Sequence, residues 1–92
     1  MDPFMLDGNA IGGLLQEVFG EDMTMAIGTC NACGAAGPLG ATHVYRAAGV
    51  VIRCPRCDGV LGKIVQNGPR VWLDLRGIRT LEISVGRTSD AA

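Results

Sequence analysis

Long hydrophobic runs, aromatic residues and histidines are scarce in this sequence of 92 residues, which contains one histidine and 4% aromatic residues. Uninterrupted apolar runs are short, as in the six residues 47–52, which include a glycine, whereas a membrane-spanning helix needs about 18 apolar residues. No basic segment precedes an apolar one at the N-terminus, so a secretory signal is not expected. These absences favour a cytoplasmic protein that does not enter the membrane.

Basic residues are absent from the first third of the chain. Residues 1–28 carry five acidic residues and no basic one, whereas residues 43–79 carry seven basic residues and two acidic ones. This asymmetry has two interpretations, which the sequence leaves open. The basic part binds an anionic partner, or the acidic segment packs against the basic one.

Every cysteine of the chain belongs to one of two matched pairs. Cys30 and Cys33 are separated by two residues, twenty residues follow, and Cys54 and Cys57 repeat the pattern. This spacing predicts one zinc ion per chain, bound by four thiolates from two tight turns. Four thiolates close the coordination shell of zinc, so the predicted site is structural and has no open position for a reacting water.

Three other chemistries use paired cysteines. Disulfides are disfavoured in the cytoplasm, and a thioredoxin-type redox pair would normally precede a helix in a βαβ pattern. Iron bound as in rubredoxins is the strongest competitor. The second pair, however, has Asp58 where those proteins have glycine, and its neighbourhood is basic and poor in aromatic residues. Arg53 and Arg56 are placed to balance the negative charge of a zinc ion with four thiolates.

No catalytic constellation can be assembled from this sequence. The only histidine, His43, lacks a free thiol as partner if all four cysteines bind metal. We therefore interpret His43 as a strand residue without a functional role. Neither glycine cluster has the lysine and hydroxyl residue of a phosphate-binding loop. We expect a protein that is not an enzyme, with no catalytic residue and no small-molecule substrate.

The hydrophobic pattern predicts one helix followed by short strands. Apolar residues recur at helical spacing over residues 11–19, which predicts an amphipathic helix at about 7–20, weakened by two adjacent glycines and ended by Gly20. Strands are predicted at residues 24–29, 43–47, 50–54, 60–66, 70–75 and 78–85. Turn residues at 48–49 and 67–69 predict that the four middle strands form two hairpins.

These elements predict a small α+β, mainly β fold, namely a zinc ribbon of short antiparallel strands with one N-terminal helix. The single domain is expected at residues 6–85, and residues 86–92 are expected to form a flexible tail. Residues 1–5 contain a second methionine, Met5, which is consistent with a vector remnant ahead of the natural start. So short a chain has a thin core, so we expect folding to depend on the metal.

Two longer segments carry a resemblance to a known family. Leu-Asp-Gly-Asn-Ala at 6–10 and Val-Trp-Leu-Asp-Leu-Arg-Gly at 71–77, together with the cysteine pairs, resemble a family of small actinobacterial proteins of unknown function described as zinc-ribbon-like. The resemblance covers most of residues 6–83. It implies a zinc-ribbon-like fold with a metal site and implies no activity.

Two binding surfaces are predicted for such a module. The first binds nucleic acid or a ribonucleoprotein, and its candidate residues are Arg53, Arg56, Arg70, Trp72, Arg76 and Arg79. Strand alternation would place Arg70, Trp72 and Arg76 on one face, where a ring and guanidinium groups can stack and clamp a ligand. The second binds a protein partner through the N-terminal helix or the Trp72 face. A third interpretation buries Trp72 under the helix and pairs Asp74 with an arginine.

Overall fold

Two antiparallel β-sheets and one α-helix make up residues 5–84, the part of the chain that the computed structural model describes. The strands are β1 Met5–Asp7, β2 Ile27–Cys30, β3 Ala36–Pro38, β4 His43–Arg46, β5 Val50–Arg53, β6 Val60–Asn67, β7 Arg70–Asp74 and β8 Ile78–Glu82. The helix α1, Gly12–Phe19, follows β1 in the chain. The prediction of mostly antiparallel strands with one short helix is confirmed, and the predicted tail at 86–92 lies outside the described residues.

The five-stranded sheet has the order β1-β4-β5-β6-β7, and the three-stranded sheet has the order β3-β2-β8. Both predicted hairpins are present, because Arg46 pairs with Val50 across one turn and Asn67 pairs with Arg70 across the other. Gly68, in the second turn, has a φ of 62°, a conformation that glycine adopts without the steric penalty of a side chain. Local turn chemistry therefore favours the second hairpin.

The N-terminal helix is shorter than the predicted 7–20. Met5–Asp7 forms the strand β1, which pairs with β4, and Gly8–Ile11 forms a 3-10 helix. Only Gly12–Phe19 is α-helical. The reason is tertiary. The amide of Gly8 donates to the carbonyl of Thr42 at 2.9 Å, and a Cβ at Gly8 would overlap the carbonyl of Leu39. Among residues 5–84, no helix is long and apolar enough to cross a membrane.

The predicted ends of this helical segment agree better with the structure. The carboxylate of Asp7 accepts a hydrogen bond from the amide of Asn9 at 3.1 Å and so caps the 3-10 helix. Gly20 ends α1 in the left-handed conformation, with a φ of 80° and its amide bonded to the carbonyl of Gln16.

The strand prediction erred mainly at β2 and at two very short strands. β2 begins at Ile27 and not at residue 24, because the carboxylate of Asp22 binds both the amide and the hydroxyl of Thr24, at 3.0 and 2.7 Å, and holds a turn there. The three-residue strands β1 and β3 were not predicted, since they are too short to show an alternating pattern. β8 ends at Glu82, short of the predicted end.

A single aliphatic core lies between the N-terminal segment and the inner face of the five-stranded sheet. Apart from cysteines, its most deeply buried side chains are Ile11, Leu15, Met23, Val44, Ile52 and Ile64. Cys30 and Cys54 belong to the same cluster of buried residues. The core therefore anchors one cysteine of each predicted pair.

Candidate functional site

The four cysteines come together where the two sheets meet. Cys30 is the last residue of β2 in the three-stranded sheet, and Cys54 directly follows β5 in the five-stranded sheet. The four sulfurs all lie within 4.8 Å of one another. Each pair reaches across to the other, since Sγ of Cys30 lies 3.7 Å from Sγ of Cys57, and Sγ of Cys33 lies 3.7 Å from Sγ of Cys54.

Both pairs form the same kind of tight turn, which we call a knuckle: residues 30–34 and residues 54–58. In the first, the amide of Gly34 donates to the carbonyl of Cys30 at 2.9 Å; in the second, the amide of Asp58 donates to the carbonyl of Cys54 at 2.8 Å. Both donors have a positive φ, 79° for Gly34 and 64° for Asp58. The two-residue spacing thus produces two matching turns on different sheets.

Backbone amides inside the knuckles, and that of Gly59 directly after the second one, point at the sulfur atoms. Such hydrogen bonds favour the thiolate over the thiol, which is the form that binds a metal. The donors are Ala32 and Cys33 to the sulfur of Cys30 at 3.4 and 3.5 Å, Arg56 to that of Cys54 at 3.3 Å, and Gly59 to that of Cys57 at 3.3 Å.

Before a metal binds, two of the thiols differ strongly in acidity. The amide of Cys33 is the main cause that lowers the pKa of Cys30 to about 7. The amide of Gly59 acts to lower the pKa of Cys57, but loss of solvent and the three neighbouring thiols together raise that pKa to about 11. Crowded thiols repel one another as thiolates, and a bound cation removes that repulsion.

The sulfur positions fit a tetrahedral metal ion. With metal–sulfur bonds of about 2.3 Å, neighbouring sulfurs of a tetrahedron lie about 3.8 Å apart, and the distances from Cys30 to Cys57 and from Cys33 to Cys54 are both 3.7 Å. A disulfide requires about 2.05 Å between sulfurs, and all four cysteines are free. Cys30 and Cys54 are buried and Cys33 and Cys57 are exposed, so an ion would be held at the boundary between core and surface.

A family model for proteins of unknown function, DUF6510, matches residues 2–86. The chain belongs to this family. No curated protein and no solved structure matches the chain. Membership in DUF6510 confirms the predicted relation to a family of unknown function and assigns no activity, so the role of each residue has to be argued from the structure.

The candidate nucleic-acid residues do not form one surface. Arg53 on β5, and Arg70 and Trp72 on β7, lie on the solvent side of the five-stranded sheet. Arg56 lies in the second knuckle, and Arg79 lies on β8 in the other sheet. The sequence could not separate these positions, because it contains no direct information about which strands share a sheet.

Arg76 does not extend the row of Arg70 and Trp72, as the alternation predicted. β7 ends at Asp74, and Arg76 lies in the following turn, where its guanidinium pairs with the carboxylate of Asp74 at 3.1 Å. The amide and the guanidinium of Arg76 both lower the pKa of Asp74. The interpretation that pairs Asp74 with an arginine therefore agrees with the structure.

Trp72 is not buried under the helix. Its side chain is 52% exposed and stands opposite Val65 of β6, whereas Val71 turns to the other side and packs on the core. We call the solvent side of the five-stranded sheet the outer face. Its members on β4 to β7 are His43, Tyr45, Val51, Arg53, Lys63, Val65, Asn67, Arg70, Trp72 and Asp74.

Tyr45 and Lys63 of the outer face were not singled out from the sequence. The register joins them, because Tyr45, Val51 and Lys63 lie side by side on β4, β5 and β6. The guanidinium of Arg53 lies 5.8 Å from the ring centroid of Tyr45 and donates to the carbonyl of Asp58 at 2.9 Å. The alternation of side chains along a strand would have placed each residue on one side of its own strand. Only the pairing between strands shows that these residues share one face of the sheet.

The acidic N-terminal segment does not neutralise the basic half within the described chain. Over residues 5–84 the only ion pair within 4 Å joins Asp74 to Arg76. Arg46 approaches the N-terminal segment but donates to the backbone carbonyl of Ala10 at 3.3 Å and not to a carboxylate. The basic side chains of the outer face are therefore available to an anionic ligand in this part of the chain.

Proposed function

We propose that this protein is a non-enzymatic module of zinc-ribbon type, with one structural Zn²⁺ bound by Cys30, Cys33, Cys54 and Cys57. The observation that carries this proposal is the convergence of two knuckles from different sheets on one point. A metal bound there would link the sheets through four bonds. Four thiolates also fill the tetrahedral shell of zinc, so no position remains for a substrate or an activated water.

Zinc is the metal that the surroundings favour over iron. Cys30 and Cys54 belong to a core cluster of aliphatic side chains, and among residues 5–84 Phe19 is the one aromatic ring packed against it. Iron–thiolate centres of the rubredoxin type are surrounded by aromatic rings. Zinc has no redox chemistry and serves as a structural ion in closed four-cysteine sites.

Metal analysis of the protein purified under reducing conditions tests this part of the proposal. We expect one zinc per chain and a colourless solution, and a loss of zinc in Cys54→Ser. Thr29→Ser, next to the first knuckle, is the matched control and should keep its zinc. A red, iron-containing protein, or a folded metal-free protein with two disulfides, would exclude a structural zinc site.

We further propose that the module binds nucleic acid through the outer face. Trp72 stands exposed on this face beside Arg70, and Lys63 and Arg53 lie on the neighbouring strands. Lysine and arginine neutralise phosphates, and an exposed indole ring stacks on bases. The carrying observation is that none of these positive charges forms an ion pair within 4 Å in residues 5–84, and that Asp74, the carboxylate opposite Lys63, is paired with Arg76.

A binding assay at low salt tests the nucleic-acid proposal. We expect measurable affinity for RNA or DNA oligonucleotides that falls as salt rises, because bound cations are released from the phosphates. Arg70→Glu should weaken binding while leaving the zinc content unchanged. If the protein shows no affinity at low salt, the exposed apolar side chains of Trp72 and Val65 favour the second candidate function, an adaptor that docks another protein on this face.

A further inference from the structure

The outer face has aromatic groups at two separate places. At one place the Arg53 guanidinium covers the Tyr45 ring, with 5.8 Å between the guanidinium carbon and the ring centroid. At the other, Trp72 stands 52% exposed on the edge strand β7. Flat π-systems and guanidinium planes stack on nucleic-acid bases without regard to sequence. The face therefore has two stacking platforms.

The strand register fixes how far apart these platforms are. Tyr45 is in line with Val51, Lys63 and Asp74 across β4 to β7, and Trp72 lies two residues before Asp74. Three inter-strand steps of about 4.8 Å and two residues of about 3.3 Å each separate the Cα atoms of Tyr45 and Trp72 by about 16 Å. A single nucleotide is too short to reach from one platform to the other, and a strand of only a few nucleotides is long enough.

Positive charge lies between and beside the platforms. Lys63 is exposed on β6, between the strands of the Arg53–Tyr45 pair and the strand of Trp72. Arg70 is exposed two residues from Trp72 on β7. Asp74, the acidic residue in the same row as Lys63, is already paired with Arg76. A chain of phosphates that runs from one platform to the other would therefore meet cations along its path.

The width of the face selects against a duplex. Five strands spaced by about 4.8 Å form a surface about 19 Å wide, whereas the major groove of B-DNA is about 12 Å wide and admits a helix or a two-stranded ribbon. The bases of a duplex are also stacked on one another, so neither Trp72 nor Tyr45 could stack on them without unstacking the helix. Single-stranded bases are free to stack.

We propose that the outer face binds a single-stranded nucleic acid of about four nucleotides, at the short end of the range known for small single-strand-binding domains. One base stacks on Trp72, a base near the other end stacks on the Arg53–Tyr45 pair, and Lys63 contacts a phosphate between them. This inference rests on the proposed nucleic-acid function and specifies its ligand.

Trp72 is the only tryptophan of the chain, so its fluorescence reports directly on the outer face. The zinc-loaded full chain is titrated with dT10, with rU10 and with a ten-base-pair hairpin duplex. We expect dT10 or rU10 to quench the tryptophan and to bind at least tenfold more tightly than the duplex. The comparison of dT10 with rU10 shows whether DNA or RNA is preferred.

Variants are compared by the anisotropy of labelled dT10 or rU10, whichever binds more tightly. Trp72→Leu and Lys63→Glu should each weaken binding about tenfold. Trp72→Phe, which keeps an aromatic ring, should retain most of the affinity. Arg79→Glu makes the same charge change as Lys63→Glu but lies on β8 in the other sheet, so it should change the affinity less than twofold. Zinc content and the thermal midpoint confirm that each variant is folded.

The possible failures are distinguishable. If the wild-type chain binds neither single strands nor duplex, both this inference and the nucleic-acid function are wrong, and the outer face is left to a protein partner. If the duplex binds as tightly as dT10 and rU10 without quenching Trp72, the nucleic-acid function stands and the single-strand inference is wrong. If Arg79→Glu weakens binding as much as Lys63→Glu, the ligand is not on the outer face.

Discussion

The two knuckles differ at the residue that follows the second cysteine, which is Gly34 in the first and Asp58 in the second. Both residues have a positive φ, 79° and 64°, because the turn needs that conformation for the amide to reach the first cysteine's carbonyl. A side chain in this region is sterically strained, although aspartate tolerates it better than most residues. The second knuckle therefore holds local strain that the first one avoids.

Asp58→Gly should raise the free energy of unfolding by about 0.5–1 kcal/mol. Glycine removes the backbone strain, and it also removes a carboxylate beside the thiolates. Asp58→Ala is the matched control, because it removes the same charge but keeps a side chain in the left-handed conformation. Denaturant unfolding of the zinc-loaded protein measures both variants, and an equal effect of glycine and alanine would show that charge and not strain matters.

The acidity of the individual thiols should govern how metal affinity depends on pH. A metal displaces the proton from every thiol that still carries one. Cys57, with a pKa of about 11, is protonated throughout the neutral range, and Cys30, with a pKa of about 7, gains its proton as the pH falls through 7. Above pH 7 Cys30 is therefore already a thiolate, whereas below pH 7 the metal has to displace a proton from Cys30 as well.

We expect the apparent zinc affinity to fall as the pH falls, and to fall more steeply below pH 7. Cys57 alone contributes about a tenfold loss per pH unit, and Cys30 adds about another tenfold per unit below pH 7. Competition with a zinc-binding dye of known affinity, at constant ionic strength from pH 5.5 to 8.5, measures the slope. A slope that stays the same on both sides of pH 7 would contradict the assignment of the lower pKa to Cys30.

At the scale of elements, the turn between β7 and β8 joins parts of the molecule that are distant in sequence. The amide of Gly77 donates to the carbonyl of Leu61 on β6 at 3.0 Å, and its carbonyl accepts from the amide of Asn31 in the first knuckle at 2.8 Å. A Cβ at Gly77 would overlap the carbonyl of Val60 and lie 2.7 Å from the Cα of Leu61. The close approach of the turn to β6 thus requires a residue without a side chain.

Gly77→Ala should lower the free energy of unfolding by about 1–3 kcal/mol, because the added methyl group pushes the turn away from β6 and the first knuckle. The same change in α1 should have the opposite sign. Gly13 has open space around its position, so Gly13→Ala should stabilise the protein by about 1 kcal/mol through helix propensity. Thermal or denaturant unfolding distinguishes the two; a stable Gly77→Ala variant would show that the turn relaxes without cost.

At the scale of the whole molecule, the cysteine cluster joins two sheets of unequal size. The five-stranded sheet has the helix and most of the buried core against its inner face, whereas the three-stranded sheet consists of strands of three to five residues. Cys30 ends a strand of the small sheet and Cys54 follows a strand of the large one. A metal bound between them would stabilise the small sheet most, because that sheet has the fewest other contacts with the core.

Removal of the metal by a chelator should unfold the knuckles and the three-stranded sheet first. Metal binding contributes on the order of 10 kcal/mol to folding in structural zinc sites. The three-stranded sheet has a thin core, and the free energy that its core contacts provide should not keep it folded once the metal is lost. Amide hydrogen exchange should accelerate at Ile27–Cys30 and Ile78–Glu82 before it accelerates at β5 and β6. Chelator saturated with zinc is the control, and exchange that is unchanged after verified metal loss would show that the fold does not need the metal.

Features that depend on neighbouring residues could be predicted without the structure. The cysteine spacing predicted the knuckles, the turn residues predicted both hairpins, and Gly20 marked the end of α1 correctly, because each is a matter of local backbone geometry. The length also predicted a small domain, and the hydrophobic pattern with its turn residues predicted mostly antiparallel strands. These inferences needed no knowledge of which distant segments meet.

Which distant residues lie together in space depends on tertiary packing, and here the predictions were incomplete. It turned the start of the predicted helix into β1 and a 3-10 helix, because Gly8 packs against Leu39 and Thr42. It placed Arg79 on a different sheet from Arg70, and brought Tyr45 and Lys63 onto the face of Trp72. Strand order and register arise from burying one common core, a property of the whole chain that no local pattern encodes.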